Sequence, residues 1–309
     1  ADNNTAVGKS ALTANTTGAS NVAVGALTLD AATTATQNTA LGYNAMSATT
    51  TGSYNTAVGS GVLSLHTTGA SNTAVGYGAM ADLTTGGNNT ALGQDALANI
   101  TTTAGNTAIG KATLVASVTG SNNTALGYLA LTACLDGGNN VAVGVSAGTA
   151  VTSGASNTFV GAQAGDGTDD GVGNVAVGMQ ALSANCGSDN VAIGQSTLLL
   201  CTSSQNTVVG ALAADALTTG GSNTFVGYGS AGDATVSGGS NTGVGHSALS
   251  SLAGGDNNTC IGKDSGSSLV GGSNNVFVGH DSGITGSPGG SIVNGSNEIV
   301  LGDDNIGEA

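Results

Sequence analysis

Asn72-Thr73-Ala74-Val75-Gly76-Tyr77-Gly78-Ala79-Met80-Ala81-Asp82-Leu83-Thr84-Thr85-Gly86-Gly87-Asn88 is followed at once by Asn89-Thr90-Ala91-Leu92-Gly93, and this opening recurs along the whole chain. Its Asn stands at 4, 21, 38, 55, 72, 89, 106, 123, 140, 157, 174, 190, 206, 223, 241, 258 and 275. The step is 17 residues, apart from two steps of 16 and one of 18. All seventeen copies keep Asn first and Gly fifth, and an eighteenth, degenerate copy is read at Asn297-Glu298-Ile299-Val300-Leu301-Gly302. Counted from the Asn as position 1, the unit reads N-T-A-V-G-x-x-A-L-x-x-x-T-T-G-x-x. A short fixed period of this kind is the mark of a solenoid.

Seventeen residues are too few for two helices, and glycine at fixed places breaks helix. The unit suits one coil of a parallel β-solenoid. A strand covers positions 2 to 4, Gly at position 5 supplies a bend, a second short strand covers positions 8 to 10, and Thr-Thr-Gly returns the chain. Coils stack about 4.8 Å apart, so eighteen would build a rod of roughly 85 Å. The Asn residues are predicted to form a side-chain ladder along it. A simple tolerance of tight turns would also suit them.

The copies serve as one another's comparison. Position 4 is always aliphatic, position 2 is Thr or Val, and position 3 is usually Ala. Positions 2 and 4 share one strand face and position 3 the other. Neither face carries a large polar residue, which predicts a strand buried on both sides. Position 9 is Leu or Met in eleven copies and Gly or Ala in six. In five of those six, position 3 has grown: Phe159 with Gly165, Val208 with Ala214, Phe225 with Ala231, Cys260 with Gly266 and Phe277 with Gly283. Ala142 with Gly148 departs from the rule. Close packing conserves volume, so positions 3 and 9 are expected to share one core space. A coil this small cannot cover its second apolar face, and two further copies of the chain around a threefold axis would do so.

Composition narrows the function. Of 309 residues 54 are Gly, one is Pro and none is Trp; 7% are charged, against roughly 25% in an ordinary domain. Three lysines against 18 acids give a net charge of -15, which argues against a nucleic-acid partner. No apolar run approaches the roughly 20 residues of a membrane span, so no membrane insertion is expected. Glycine lacks the three-residue period of collagen, and 39% hydrophobic residues argue against disorder.

The N-T-A-V-G-x-x-A-L array resembles the N-S-V-A-I-G repeats of YadA-like heads in trimeric autotransporter adhesins. It is more similar still to bacteriophage tail-fibre-like proteins with long N-T-A-V-G-x-x-A-L-x-x-x-T-T-G arrays. The resemblance covers nearly the whole chain. It implies a left-handed parallel β-roll, three copies per assembly. The repeat is longer than the adhesin one, and neither stalk nor anchor is visible. Residues 1–283 read as the repeat array, and 284–309 as the degenerate last repeat with a transition segment. Within that segment Ser296 to Asp304 resembles the junction where such fibres leave the array. The array opens inside a repeat, at Asn4, without a polar cap, so a fragment, a processed product or a subunit stacked on another module is expected.

Candidate sites are few. Asp166, Asp169 and Asp170 form the densest acidic stretch and would suit calcium in a glycine-rich turn, or a solvated loop. No other cofactor is indicated. Cys186 and Cys201 fall near corresponding places of successive coils, as a disulfide or a buried thiol pair. Cys134 shows no zinc spacing with any other cysteine, and Cys260 reads as a small core residue. Tyr43, Tyr77, Tyr128 and Tyr228 all occupy position 6 and would line one edge, as a receptor contact or as isolated surface residues. His66, His246 and His280 read as lying in distant coils, and His246 and His280 as occupying position 6, an exposed turn where Lys9, Tyr43 and Gln94 also occur. No triad or carboxylate pair is placed, so an enzyme is not expected. Thr pairs at positions 13 and 14 recur from Thr16-Thr17 to Thr101-Thr102 and then decay, a weak echo of an ice-binding ladder.

The expected function is structural and adhesive. The chain reads as a homotrimeric shaft or head of a phage tail fibre or surface adhesin, on a virion tail or cell exterior, meeting a receptor or glycan. The alternatives are a self-assembling extracellular filament subunit and a monomeric ice- or glycan-binding solenoid.

Overall fold

A computed structural model describes residues 2–117, 119–284 and 291–302. The chain is a parallel β-solenoid, and no described residue is helical. It divides into two compact units, Ala1–Ser156 and Asn157–Ala309. The first carries nine three-residue strands, from β1 (Thr5–Val7) to β9 (Val141–Val143). The second carries nine more, from β10 (Thr158–Val160) to β18 (Ile299–Leu301). Within each unit every strand pairs in parallel with the next, position on position, as Thr5, Ala6 and Val7 do with Val22, Ala23 and Val24. The last step is the longest: Val276 pairs with Ile299, 23 residues on. The proposed junction residues Asp303 and Asp304 lie outside the described residues, as does part of 284–309.

The expected second strand is not formed. Positions 6 to 11 run as consecutive turns, with left-handed residues at positions 7 and 9, such as Ser10 (φ 61) and Leu12 (φ 53). Reversing handedness at alternate residues swings successive peptide groups to opposite sides. Leu27 N–H then donates back to Lys9 C=O at 2.9 Å, while Leu12 and Ala14 donate forward to Thr28 and Asp30 at 3.1 Å. The inter-coil hydrogen bonds are thus kept without a strand, which offsets the roughly 1–2 kcal/mol cost of a bulky left-handed residue.

Position 5 explains its own invariance. Gly93 has φ 141, and a Cβ there would lie 2.5 Å from the carbonyl oxygen of Gly110 in the next coil. No side chain fits between coils at that spacing.

The Asn ladder is present and buried. From Asn21 to Asn275 each position-1 Asn is at most 1% exposed. The Oδ1 of Asn72 accepts from the backbone N–H of Asn89 at 3.0 Å and from its Nδ2 at 3.1 Å. The same Nδ2 donates to Thr103 C=O, 14 residues on in its own coil, at 2.9 Å. One side chain therefore joins neighbouring coils and closes its own. The eighteenth copy is one residue out of the expected frame. Glu298, not Asn297, takes position 1 and donates its N–H to Asn275 Oδ1 at 2.9 Å. Asn297 occupies the left-handed position 17 (φ 63), as Asn274 (φ 59) does one coil earlier.

The core lies where the volume exchange put it. From the second coil on, Ala or Phe at position 3 and Leu or Met at position 9 are buried, with Phe159, Phe225 and Phe277 fully so. A Cβ on Gly283 would meet the Phe277 ring at 2.7 Å, and one on Gly266 would meet Cys260 Sγ at 2.6 Å. Cys260 is buried at the Ala position, as expected. Positions 8 and 12 complete the interior, with Ala96 and Ile100 as examples. The expectation of a strand covered on both faces fails for the single chain. Positions 2 and 4 point outward, leaving Val7 58% and Leu92 48% exposed. A coil has one interior, and position 3 already faces it.

The Thr column has a structural use. The Oγ1 of Thr16, Thr33, Thr50, Thr67 and Thr84 each donates to the carbonyl of the next Thr in the column, at 2.9 to 3.3 Å. These hydroxyl protons are committed within the chain.

Candidate functional site

The first unit carries a concavity of about 390 Å³ on its turn face. Its origin is local. In coils three to six, position 6 runs Tyr43, Ser60, Tyr77, Gln94, and position 7 runs Asn44, Gly61, Gly78, Asp95. Ser60 leaves a notch between two tyrosines that stand two coils, roughly 10 Å, apart. Position 7 is left-handed throughout, as in Asn44 (φ 57), Gly61 (φ 66), Gly78 (φ 63) and Asp95 (φ 55), so two successive glycines sit there without strain. They remove the side chains that would fill the floor; a Cβ on Gly61 would meet nothing within 4 Å.

The walls mix aromatic and polar groups. Tyr43 is 60% and Tyr77 65% exposed, and both line the cavity. Asp82, Asp95, Asn44 and Asn99 add carboxylates and amides. Asp95 is held by Gln94 Nε2, which donates to its Oδ2 at 3.0 Å. None of the three lysines lines the site. An apolar face beside converging polar groups is the usual make-up of a small-molecule site.

The remaining sequence-derived candidates are placed as follows. Tyr128 is exposed at position 6 and lies outside the cavity. Tyr228 stacks on His246, with ring centroids 5.4 Å apart. Asp166, Asp169 and Asp170 fall at positions 10, 13 and 14 of one coil. Burial raises the Asp166 carboxyl above its ordinary value, and its Oδ1 has no hydrogen-bond partner among the described residues. The backbone N–H of Asp169 donates to Asn185 Oδ1. Cys186 and Cys201 are brought together as buried free thiols. Cys186 Sγ donates to the backbone carbonyl of Cys201 at 2.7 Å; the coupling of the two thiols, with burial, pushes Cys186 up, and the same coupling draws Cys201 down.

Two features escaped the sequence reading. His246 and His280 share the position-6 edge, as read, but are not distant: they stand two coils apart, with Lys263 between them. Asp264, His280 and Asp281 bring ligand-type atoms within 4.8 Å of one another. Lys263 pairs with Asp264, and His280 Nδ1 lies 3.2 Å from Asp281 Oδ2. The 17-residue spacing of position 7 was the available signal. The second feature is His66, fully buried at position 12. Its Nδ1 is 3.0 Å from Thr49 Oγ1, and burial lowers its pKa to about 4.

No helix among the described residues is long and apolar enough to cross a membrane. No protein-family model matches the chain, and no curated protein matches it significantly.

Proposed function

We propose that the chain is a shaft or head segment of an extracellular or virion-tail fibre, built as a homotrimer and serving attachment to a host surface. One observation carries this reading: the outward strand face is an aliphatic stripe. It includes Val7, Leu41, Leu92 and Leu126 in the first unit, and Val160, Ile193, Ile261 and Val278 in the second, each at least 37% exposed. Scattered apolar surface residues need no explanation, but a contiguous row marks a contact surface. A second and third copy, each turning the same stripe toward a common axis, would cover it. In a closed threefold ring the contact between neighbouring chains is heterologous, and an apolar strip turned toward the common axis meets its two symmetry copies there. The left hand of the roll belongs to the same proposal and rests on the resemblance of the repeat.

The turns of positions 6 and 7 then form the outer edge. Their residues vary from coil to coil in size, polarity and charge while the Asn ladder is constant and the strand core exchanges volume only between positions 3 and 9, which is how a rigid scaffold carries binding residues. Three copies of any such contact gain avidity. The role is mechanical and adhesive, and the reading assigns no catalysis.

Native mass by light scattering after size exclusion tests it. The expected value is three times 28.9 kDa. Leu92→Asp, on the stripe and away from the core, should shift that mass downward with the circular dichroism unchanged. A wild-type monomer of 28.9 kDa would overturn the trimer. A ladder of ever larger species would favour the filament subunit instead.

A further inference from the structure

We propose that the notch between Tyr43 and Tyr77 is a binding site for an uncharged pyranose sugar. This rests on the adhesive reading above and names the ligand class for its outer edge.

The argument begins with size. The concavity, about 390 Å³, falls within the range of small-ligand sites. Along the stack it opens roughly 10 Å between the tyrosines, and roughly 14 Å between Asn44 and Asp95, three coils apart. That admits one or two sugar rings and is too short for a longer stretch of chain.

Chemistry narrows the class. A pyranose has an apolar C–H face and a rim of hydroxyls. The exposed Tyr43 and Tyr77 rings offer flat apolar surface to the first. The carboxylates of Asp82 and Asp95 accept hydrogen bonds from hydroxyl groups, and the amides of Asn44 and Asn99 both donate and accept. Alternatives fit less well. A phosphate, sulfate or uronate would face two carboxylates and no lysine or arginine, on a chain of net charge -15. A purely apolar ligand would strand those carboxylates against it.

The site is also distinct along the edge. Tyr128 is followed by Leu129 at position 7, and Tyr228 is stacked on His246, so neither repeats the notch. Two tyrosines flanking a small residue, over two successive glycines, occur only in coils three to six. The selectivity of the site therefore comes from the order of coils and not from the repeat itself.

The test is saturation-transfer NMR and calorimetry of the whole chain against maltose, cellobiose and chitobiose, with a neutral-glycan array beside them and digalacturonate as the acidic comparator. At least one uncharged sugar should bind and perturb tyrosine ring protons. Tyr43→Ala and Tyr77→Ala should each weaken binding about tenfold, the scale of one lost aromatic contact. Tyr128→Ala should leave it unchanged. Ser60→Tyr should abolish binding by filling the notch. It is expected to fold, since both flanking coils carry Tyr at this position, and circular dichroism checks that. Binding that survives Ser60→Tyr, equal binding of digalacturonate, or no uncharged sugar bound at millimolar concentration would each overturn the proposal. Native mass on the same samples separates the two readings. A trimer that binds no sugar removes the site and leaves the fibre; a monomer that binds one does the reverse.

Discussion

Asn89→Ala removes one rung from the ladder, and its cost follows from the hydrogen bonds that rung makes. Asn89 Oδ1 accepts from the backbone N–H of Asn106 at 3.0 Å. Its Nδ2 donates to Asn72 Oδ1 at 3.1 Å and to Thr103 C=O at 2.9 Å. The bond from Asn89 backbone N–H to Asn72 Oδ1 survives truncation. The buried N–H of Asn106 is orphaned, at about 1–3 kcal/mol, and two further bonds are lost at about 1 kcal/mol each. The expected loss is therefore about 3–5 kcal/mol. A solenoid need not unfold in one step, so the local measurement is the sharper one. Hydrogen exchange at the Asn106 amide should accelerate by roughly a hundredfold or more. The urea midpoint by circular dichroism should fall as well. Thr85→Ala, at an exposed position of the neighbouring coil, is the control. If Asn106 exchange rises less than tenfold and the midpoint moves no further than the control, the ladder is not what couples the coils. Asn89→Asp refines the test. It keeps the acceptor but places a carboxylate in a buried amide column, so at pH 7 it should cost at least as much as alanine.

Three more outcomes are expected. Phe225→Ala should cost about 3–5 kcal/mol, because the fully buried ring fills the space that Leu or Met takes in other coils. Adding Ala231→Leu should restore more than half of it in a thermal melt, and no recovery would refute the shared space. Gly93→Ala should cost about 2 kcal/mol or more, from a left-handed φ of 141 and a Cβ 2.5 Å from the Gly110 oxygen. An unchanged melting temperature would contradict that close approach. His66 predicts a pH dependence. Its folded pKa is about 4 and its ordinary value 6.5, so the unfolded chain takes up the proton first as pH falls. Its neutral form contributes fully above about pH 6.5, and the contribution, at most about 3 kcal/mol, is lost as pH falls toward 4. His66→Leu, matching Leu83 at the same position one coil on, should narrow the stability gap between pH 7 and pH 4.5 relative to wild type. An equal gap in both proteins would refute the assignment.

Much of this protein was legible in the residues because it contains its own comparison set. The Asn and Gly columns, the strand at positions 2 to 4 and the exchange between positions 3 and 9 follow from reading seventeen copies against one another. Volume conservation pairs Phe159 with Gly165 from the residues alone. Other features needed the stack. Leu12 and its counterparts suggest a second strand, since leucine resists the left-handed region. The inter-coil hydrogen bonds of positions 7, 9 and 11 override that preference, and no local rule states it. In the last copy Asn297 imitates position 1 in sequence, whereas the hydrogen bond to Asn275 Oδ1 selects Glu298. The exchange between positions 3 and 9 already placed position 3 inside, but only the fold showed that a single chain leaves the face of positions 2 and 4 uncovered. The notch at Tyr43 and Tyr77 is tertiary in the same sense. Its tyrosines were visible as an edge, but the cavity exists because residues 17 and 34 apart in sequence lie side by side. Periodicity fixes what every coil shares; the differences between neighbouring coils become a surface only when backbone hydrogen bonds hold those coils in register.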